Sequence, residues 1–286
     1  MKNDNMHDMP DSHSIPMTSV SSGKTRQVKP DVHYYTDQIA NLIFLGDRNS
    51  GRWSLVDAGM PNSAHNIVSE AEELFGKGTK PQAILLTHGH FDHVGSLIDL
   101  LELWKDVPVY AHQLEFPFLT GQLDYPEPDT SVEGGMLAKI SKLYPHKAIN
   151  ITPVLQPLHE NGTVPGFPDW KWLHTPGHAP GHVSFFRESD RMLIAGDAFV
   201  TVRQDSFYKV LVQQEEVNGP PRYLTTNWPA AKASVLKLHA LHPESVVTGH
   251  GTHMEGERLR EGLDKLVREW DDIALPDHGK FVDGND

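Results

Sequence analysis

Short apolar runs alternate with amphipathic stretches in the first half of the chain. The short runs are typical of strands, and apolar positions that recur on one face are typical of helices. A turn-rich pentapeptide, residues 47–51, separates the first two runs and predicts a β-hairpin. The helix predicted from Val94 to Trp104 should bury Leu97, Ile98, Leu101 and Trp104. The predicted elements are strands at 41–46 and 53–57, a helix from Asn62 or Ser63 to about Leu74, a strand at 83–86 and a helix from Val94 to Trp104.

The second half of the chain repeats this alternation, which predicts two similar αβ layers packed sheet on sheet. Asn227 can cap a helix that has Pro229 near its first turn. The predicted elements are strands at 171–174, 183–186, 192–195 and 245–248, and helices from Trp228 to Leu241 and from Glu257 to about Ile273.

Two stretches differ from this alternation. Residues 1–30 are polar, without the long apolar run or positive start of a secretory signal, and are expected to form a flexible N-terminal tail. Residues 113–169 are rich in Pro, Gly and Tyr, with one helical piece near Met136 to Tyr144. We expect residues 113–169 to form a cap or substrate-lining insertion within a single domain, residues 31–286. A surface excursion without function is the alternative.

Composition narrows the classes of function. The formal net charge is −13 over 286 residues, with no run of Lys and Arg, which disfavours binding to nucleic acid or to an anionic membrane. No apolar run approaches the about 20 residues needed to span a bilayer. The absence of cysteine excludes disulfides, thiolate ligands and a catalytic thiol. A cytoplasmic protein that acts on a small molecule is expected.

Five predicted strands end beside a histidine or an aspartate that has glycine next to it. Glycine permits a tight turn and a close approach, so each of these side chains can point into a shared cleft while the core fixes its strand. The five segments are 55–59, 86–90, 173–178, 194–197 and 247–251.

The second of these segments continues to residue 93. Residues 87–93, Thr-His-Gly-His-Phe-Asp-His, hold three imidazoles and a carboxylate directly after an apolar run. Imidazole and carboxylate ligands suit Zn²⁺, Mn²⁺ or Fe²⁺. Because the chain has no cysteine, any metal must be held by nitrogen and oxygen. The segment therefore predicts a metal site.

With these residues in place, the chain resembles the metallo-β-lactamase superfamily of metallohydrolases over roughly residues 31–286. The signature of that superfamily is an Asp after an early strand, then HxHxDH, a distant His, an Asp and a last His. The stretch 175–182, Thr-Pro-Gly-His-Ala-Pro-Gly-His, is similar to glyoxalase II-like and lactonase-like members. The resemblance implies an α/β fold, the four-layer αββα sandwich. The signature falls on Asp57, His88, His90, Asp92, His93, His178, Asp197 and His250.

The resemblance also implies two divalent metal ions, with Zn²⁺ expected and Fe or Mn as alternatives. The implied reaction is hydrolysis of an ester, lactone or thioester, in which a metal-bridging hydroxide attacks the carbonyl carbon. The implied ligands are His88, His90 and His178 for the first ion, Asp92, His93 and His250 for the second, and Asp197 bridging both.

Several further roles follow from that arrangement. Asp92 is a candidate to shuttle the proton between nucleophile and leaving group. Asp57 is the natural acceptor to orient a ligating imidazole, and His182 is a second neighbour that could instead bond a backbone carbonyl in the core. Phe199 and Tyr223 are candidates to line the substrate pocket, although plain packing explains either equally well.

The substrate is less constrained. Quorum-signal lactonases place a Tyr shortly after the bridging Asp, whereas Phe199 stands in that region here, so a lactonase would need Tyr208 or Tyr223 instead. Glyoxalase II-like enzymes use a basic C-terminal region, but the last predicted helix here carries mixed charges. The aromatic-rich stretch 113–169 could equally serve a homodimer.

Two alternatives from other classes remain. Persulfide dioxygenases share the fold, and in that case His178, Asp197 and one of His88 or His90 would bind a single iron. The other alternative is a non-catalytic metal-binding protein in which residues 113–169 close the cleft. Seven ligands with open positions favour chemistry over a closed structural site.

Overall fold

Two β-sheets form the centre of the computed structural model, which describes residues 19, 22–132, 145–202 and 215–282. The first sheet has seven strands in chain order. The first four strands pair antiparallel, and the strands from the fourth to the seventh pair parallel. They are β1 Lys24–Lys29, β2 Val32–Asp37, β3 Ala40–Asp47, β4 Arg52–Val56, β5 Ile84–Leu85, β6 Val109–Ala111 and β7 Leu155–Pro157.

The second sheet has six strands in the order β15-β14-β11-β10-β9-β8, with a parallel pair between β11 and β14. Strands β12 and β13 form a separate two-stranded sheet. The strands are β8 Thr163–Val164, β9 Phe167–His174, β10 Val183–Arg187, β11 Met192–Gly196, β12 Val200–Val202, β13 Glu215–Asn218, β14 Ser245–Thr248 and β15 Met254–Glu255.

Helices cover the outer face of each sheet. Two of the longer ones, α1 and α3, pack on the first sheet, and α5 and α6 pack on the second. Across the described ranges, no helix is long and apolar enough to cross a membrane. The α-helices are α1 Ala64–Phe75, α2 Phe91–Val94, α3 Leu97–Leu103, α4 Phe116–Leu119, α5 Trp228–His239, α6 Gly256–Arg268 and α7 Trp270–Ile273.

Alternation along the strands produces the layers, because successive side chains of a strand point to opposite faces. In β3, Leu42 and Phe44 face the helices, whereas Ile43 and Leu45 face the second sheet. The inter-sheet core joins them to residues of the second sheet such as Phe185. The predicted four-layer αββα sandwich is confirmed, together with the hairpin of β3 and β4.

The helix predicted from Val94 to Trp104 is interrupted. Gly95 has no room for a β-carbon, which would lie 2.4 Å from the nitrogen of Pro61. The hydroxyl of Ser96 donates to the carbonyl of Met60 at 2.6 Å, so the backbone is anchored there and α3 begins only at Leu97. The predicted buried face was wrong at Ile98, which is 40% exposed; Leu100 is buried instead.

Three further boundaries differ from the prediction. The first strand begins at Lys24, so residues 24–29 belong to the first sheet rather than to a tail that ends at residue 30. The stretch 113–169 is not a pure insertion, because it includes β7 and β8, which are edge strands of the two sheets. The last predicted helix is divided into α6 and α7 at Glu269. The predicted helical piece at 136–144 lies outside the described residues.

The phase of α3 gives a direct test of the packing. Leu100→Ala should lower the free energy of unfolding by about 2–5 kcal/mol, because it removes a fully buried side chain from the core under the first sheet. Ile98→Ala, two positions away on the same helix, should change it by no more than about 0.5 kcal/mol. Urea unfolding of both variants measures the difference, and equal losses would contradict the helix phase described here.

Candidate metal centre

The seven predicted ligands, with Asp57 behind them, lie where five strands of the two sheets end. Asp57 follows β4, and the segment 88–93 follows β5; both strands belong to the first sheet. The second sheet contributes the other ligands from the ends of β9, β11 and β14. All seven side chains are buried. The ligands form three sets, and within each set the donor atoms lie within 4.8 Å of one another. The sets are His88, His90 and His178; His88, His93 and Asp197; and Asp92, His93 and His250.

The Asp197 carboxylate lies in the middle of this cluster. Its Oδ2 atom is 3.2 Å from Nε2 of His250, 3.4 Å from Nε2 of His178 and 3.6 Å from Nε2 of His93. Gly249 makes this position accessible, since a β-carbon there would lie 2.0 Å from Oδ1 of Asp197. One carboxylate oxygen therefore faces imidazoles from both halves of the fold.

The inner atoms of the cluster fit divalent cations. Nine buried side-chain atoms of the described residues have no hydrogen-bond partner, and four of them belong to the cluster: Nε2 of His88, Nε2 of His93, Oδ1 of Asp92 and Oδ1 of Asp197. A buried polar atom without a partner costs free energy, and a bound cation would remove that cost at these four. A nitrogen and oxygen donor set of this kind suits Zn²⁺, Fe²⁺ or Mn²⁺.

In two of the imidazoles, the Nδ1 atom contacts a threonine hydroxyl group whose own hydrogen is already donated to another acceptor. The hydroxyl hydrogen of Thr87 is donated to Asp57, so the hydroxyl oxygen must act as an acceptor toward His88. Nδ1–H of His88 donates to it at 3.0 Å. Thr225 donates to the carbonyl of Pro221 and accepts from Nδ1–H of His178, at 3.1 Å. Both imidazoles thus have an unprotonated Nε2 that points into the cluster, where a cation can bind it.

The other two Nε2 ligands are held by stronger acceptors. Asp57 accepts from Nδ1 of His93 at 2.8 Å, and the carbonyl of Ile39 accepts from Nδ1 of His250 at 3.0 Å. In His90 it is the Nδ1 atom, not Nε2, that points into the cluster, and it lies 3.0 Å from Nε2 of His178. Contacts outside the cluster therefore set the ring orientations of His88, His93, His178 and His250, whereas His90 contacts another proposed ligand.

Asp57 and His182 lie directly behind the ligands. Asp57 has a left-handed φ of 61°, and its Oδ1 also accepts the backbone N–H of Thr87 at 2.8 Å. Nε2 of His182 accepts the backbone N–H of Asp197 at 2.9 Å, and its Nδ1 contacts Thr175. His182 thus holds the backbone of Asp197, and it also makes the backbone carbonyl contact that the alternative interpretation expected.

Burial and charge divide the imidazoles into two groups. Burial lowers the pKa of His90 to about 4 and the pKa of His88 and His178 well below their usual range, so these rings are neutral. Burial also opposes charge on His250, but the carboxylates of Asp197 and Asp92 outweigh it and raise its pKa to about 10. The carboxylates therefore create a strong local preference for positive charge, which divalent cations satisfy.

Two residues of the stretch 113–132 reach the cluster and were not predicted from the sequence. The carboxylate of Glu115 accepts the backbone N–H of Gly89 at 2.9 Å and of Gly181 at 2.7 Å. The Tyr125 hydroxyl donates to Glu115, and the Tyr125 ring packs on His90 with 4.5 Å between centroids. The only signal in the sequence was a single acid inside the apolar run Leu-Glu-Phe-Pro-Phe-Leu.

The two residues predicted to line the pocket have different surroundings. Phe199 is fully buried in the core between the second sheet and its helices, so packing explains it and the pocket-lining prediction was wrong. Tyr223 is also buried, and its carbonyl accepts the N–H of Asp129. It lies two residues before Thr225, which contacts His178, and its role toward a substrate stays a prediction.

The Asp57 contact predicts a change in metal affinity. Asp57→Asn keeps the shape of the side chain but presents at most one acceptor oxygen to His93 and Thr87, so metal affinity should fall by about 10–100-fold. Competition with a chromophoric chelator measures it. Asp37→Asn is a matched control, because Asp37 is equally buried but accepts from the N–H of Met60 and the hydroxyl of Ser63. Unchanged affinity in Asp57→Asn would remove Asp57 from this role.

Comparisons with known proteins agree with this geometry. The sequence profile of the metallo-beta-lactamase superfamily matches residues 30–250. The chain is 45% identical over 260 residues to the probable metallo-hydrolase YflN of Bacillus subtilis, a match that covers 91% of this chain and 98% of that protein. It is 30% identical over 157 residues to the hydroxyacylglutathione hydrolase of Erwinia tasmaniensis, covering 55% of this chain and 46% of that enzyme.

Solved structures give the same result. The di-iron-bound form of TTHA1623 aligns with a TM-score of 0.50 at 26% identity and covers 80% of this chain and 92% of that chain. The metallo-beta-lactamase family protein TTHA1429 from Thermus thermophilus aligns with a TM-score of 0.57 at 20% identity, over 85% of this chain and 80% of that chain, which shows the shared fold. The chain therefore belongs to the metallo-beta-lactamase superfamily, as a metallo-hydrolase whose buried His and Asp cluster suits divalent metal ions.

Proposed function

We propose that this protein is a binuclear metallohydrolase that cleaves an ester, lactone or thioester bond. The observation that carries the proposal is the position of Asp197, whose Oδ2 atom lies within 3.6 Å of imidazole nitrogens from both ligand sets. A carboxylate in that place can bridge two ions. The proposed ligands are His88, His90 and His178 for the first ion, Asp92, His93 and His250 for the second, and Asp197 for both.

Two bound cations would lower the pKa of water enough to supply a nucleophile near neutral pH, and would polarise a carbonyl oxygen. The residues of the chain supply the remaining conditions. Neutral imidazoles at His88, His90 and His178 leave the first ion its full charge. The Asp197 backbone is fixed by His182, and the ligand side chains are buried, which strengthens the electrostatic interactions among them.

Asp92 is placed to hold a proton during the reaction. Its Oδ2 atom is 3.2 Å from Nε2 of His250, whereas its Oδ1 atom has no partner. His93 and His250 keep the pKa of this carboxyl below its usual value despite burial, so it is ionised. We assign it the role of shuttling the proton from the nucleophile to the leaving group.

The similarity to hydroxyacylglutathione hydrolases supports a thioester or ester as the bond that is cleaved. The lactonase alternative depends on a phenol that can reach a substrate carbonyl. Phe199 is buried in the core, and the hydroxyl of Tyr125, although near His90, is already engaged by Glu115 and Gly89. Of the two tyrosines that a lactonase would need instead, Tyr208 lies outside the described residues, and Tyr223 is buried two residues before Thr225. Lactones therefore stay in the proposed substrate class, beside esters and thioesters.

Activity and metal content should change together. The zinc-loaded protein should hydrolyse a thioester or ester in a panel that also contains lactones, phosphodiesters and β-lactams. His90→Ala should lower kcat/KM by at least about 100-fold, because it removes one ligand of the first ion. Elemental analysis should find two zinc ions per chain; iron is the second candidate metal, given the di-iron form of a relative. One iron per chain with no hydrolysis would instead support the dioxygenase alternative, and bound metal with neither activity would support a non-catalytic protein.

The role of Asp92 is tested at full metal occupancy. Asp92→Asn should lower kcat by about 100–10,000-fold, since the amide cannot take up a proton. Metal content measured on the same sample separates this loss from a loss of the second ion. Unchanged turnover with two ions bound would remove Asp92 from the proton transfer.

A further inference from the structure

Glu115 is a fully buried carboxylate that the proposed reaction does not use. It belongs to a 3₁₀ turn, Gln113–Glu115, directly before α4. Its contacts are the backbone N–H groups of Gly89 and Gly181 and the hydroxyl of Tyr125. Among the described residues, no lysine or arginine pairs with it. Burying a carboxylate costs several kcal/mol of folding free energy unless hydrogen bonds compensate it. The three donors around Glu115 supply this compensation, and their positions indicate what the carboxylate does.

The two glycines belong to the two loops that carry the proposed ligands of the first ion. Gly89 lies between His88 and His90, and Gly181 lies three residues after His178. One oxygen of Glu115 binds the first loop, and the other oxygen binds the second. The carboxylate therefore connects a loop of the first sheet to a loop of the second sheet.

Both glycines are shaped to this contact. A β-carbon at Gly89 would lie 2.7 Å from the hydroxyl of Tyr125, and one at Gly181 would lie 2.8 Å from Cγ of Glu115. The glycines of these two loops thus allow the close approach of Glu115 and Tyr125, in addition to any turn they form. Gly89 donates to both partners, at 2.9 Å to Glu115 and 3.0 Å to Tyr125.

A second pair of contacts holds the loop of His178 from outside. The ring of His112 stacks on the ring of His174, with 4.2 Å between centroids and 7° between planes. Nε2 of His174 contacts the carbonyl of Pro180, the residue before Gly181, at 2.9 Å. The segment 112–125 is therefore fixed on both sides of Glu115, which makes the carboxylate a rigid anchor rather than a mobile side chain.

We propose that Glu115 is a positioning residue for the first metal ion: its carboxylate sets the separation between the loop of His88 and His90 and the loop of His178. Tyr125 supports it by donating to the carboxylate and packing on the ring of His90. The proposal rests on the metal-binding role proposed above for these histidines. It assigns a function to the beginning of the stretch 113–169.

The second ion has a separate anchor, which provides a matched control. The amide of buried Asn41 donates to the carbonyls of Thr248 and Gly251, at 2.9 and 2.7 Å, on either side of His250. Within the described residues, none of the side-chain hydrogen bonds of Asn41 reaches the loops that Glu115 connects. A change at Asn41 should therefore affect His250 and the second ion, and a change at Glu115 should affect the first.

The test is a stepwise Co²⁺ titration of the metal-depleted full chain, with visible absorption and chelator competition giving the affinity of each step. His178→Ala and His250→Ala assign the two steps to the two ions. Glu115→Gln replaces one acceptor oxygen with an amide donor, so it should lower the affinity of the first-ion step by about tenfold or more. The second-ion step should change by less than about threefold. Asn41→Ser should show the opposite pattern.

Equal losses in both steps, or lower thermal stability with both affinities unchanged, would overturn the proposal and leave Glu115 a residue of general packing. If Glu115→Gln does not fold, Tyr125→Phe decides on the same terms, with a smaller loss expected in the same step. The titration needs no substrate, so its outcome is separate from the hydrolysis assay. A protein that binds both ions in the expected pattern but cleaves nothing would contradict the proposed reaction and still support the role of Glu115.

Discussion

The attraction between the buried Asp197 carboxylate and the imidazoles around it is the interaction on which the site depends. Burial alone would raise the pKa of Asp197, but His250 and His93 hold it well below its usual value, so the carboxylate stays charged. A buried charge needs compensation that comes from several directions. Here the compensation comes from imidazoles that follow β5, β9 and β14, in both sheets. The atoms of the cluster that remain without a partner are nitrogen and oxygen donors that suit divalent cations.

Because the ligands come from both sheets, the inter-sheet core also sets the geometry of the site. Ile43 and Leu45 of the first sheet pack with Phe185 and Ile194 of the second, and Ile194 lies three residues before Asp197. A shift of one sheet against the other would move His178, Asp197 and His250 together relative to the segment 88–93. Packing and metal binding are therefore coupled, and a bound ion stabilises the folded chain by mass action.

The backbone around the ligands is held by groups that are remote in sequence. Asn41, Glu115, Thr225 and the carbonyl of Ile39 each contact a ligand or the loop that carries it. They come from a hairpin, from the segment before α4 and from the loop before α5. Ligand orientation is thus distributed over the chain, which is the usual way in which proteins fix the ring orientation of a metal-binding histidine.

The sequence by itself determined the alternation of strands and helices, because periodicity is a local property. The order of its motifs carried the family resemblance, and that resemblance implied the four-layer sandwich and the seven residues that converge. It placed Ile98 in the core wrongly, because periodicity cannot show that Gly95 and Ser96 interrupt the helix against the loop at Met60. It suggested Phe199 for the pocket, but only packing shows that this ring belongs to the core. Glu115 and Asn41 were found only in the tertiary structure, since the ligand loops that they bind lie 26 to 210 residues away and a buried hydrogen bond leaves no periodic signal in sequence.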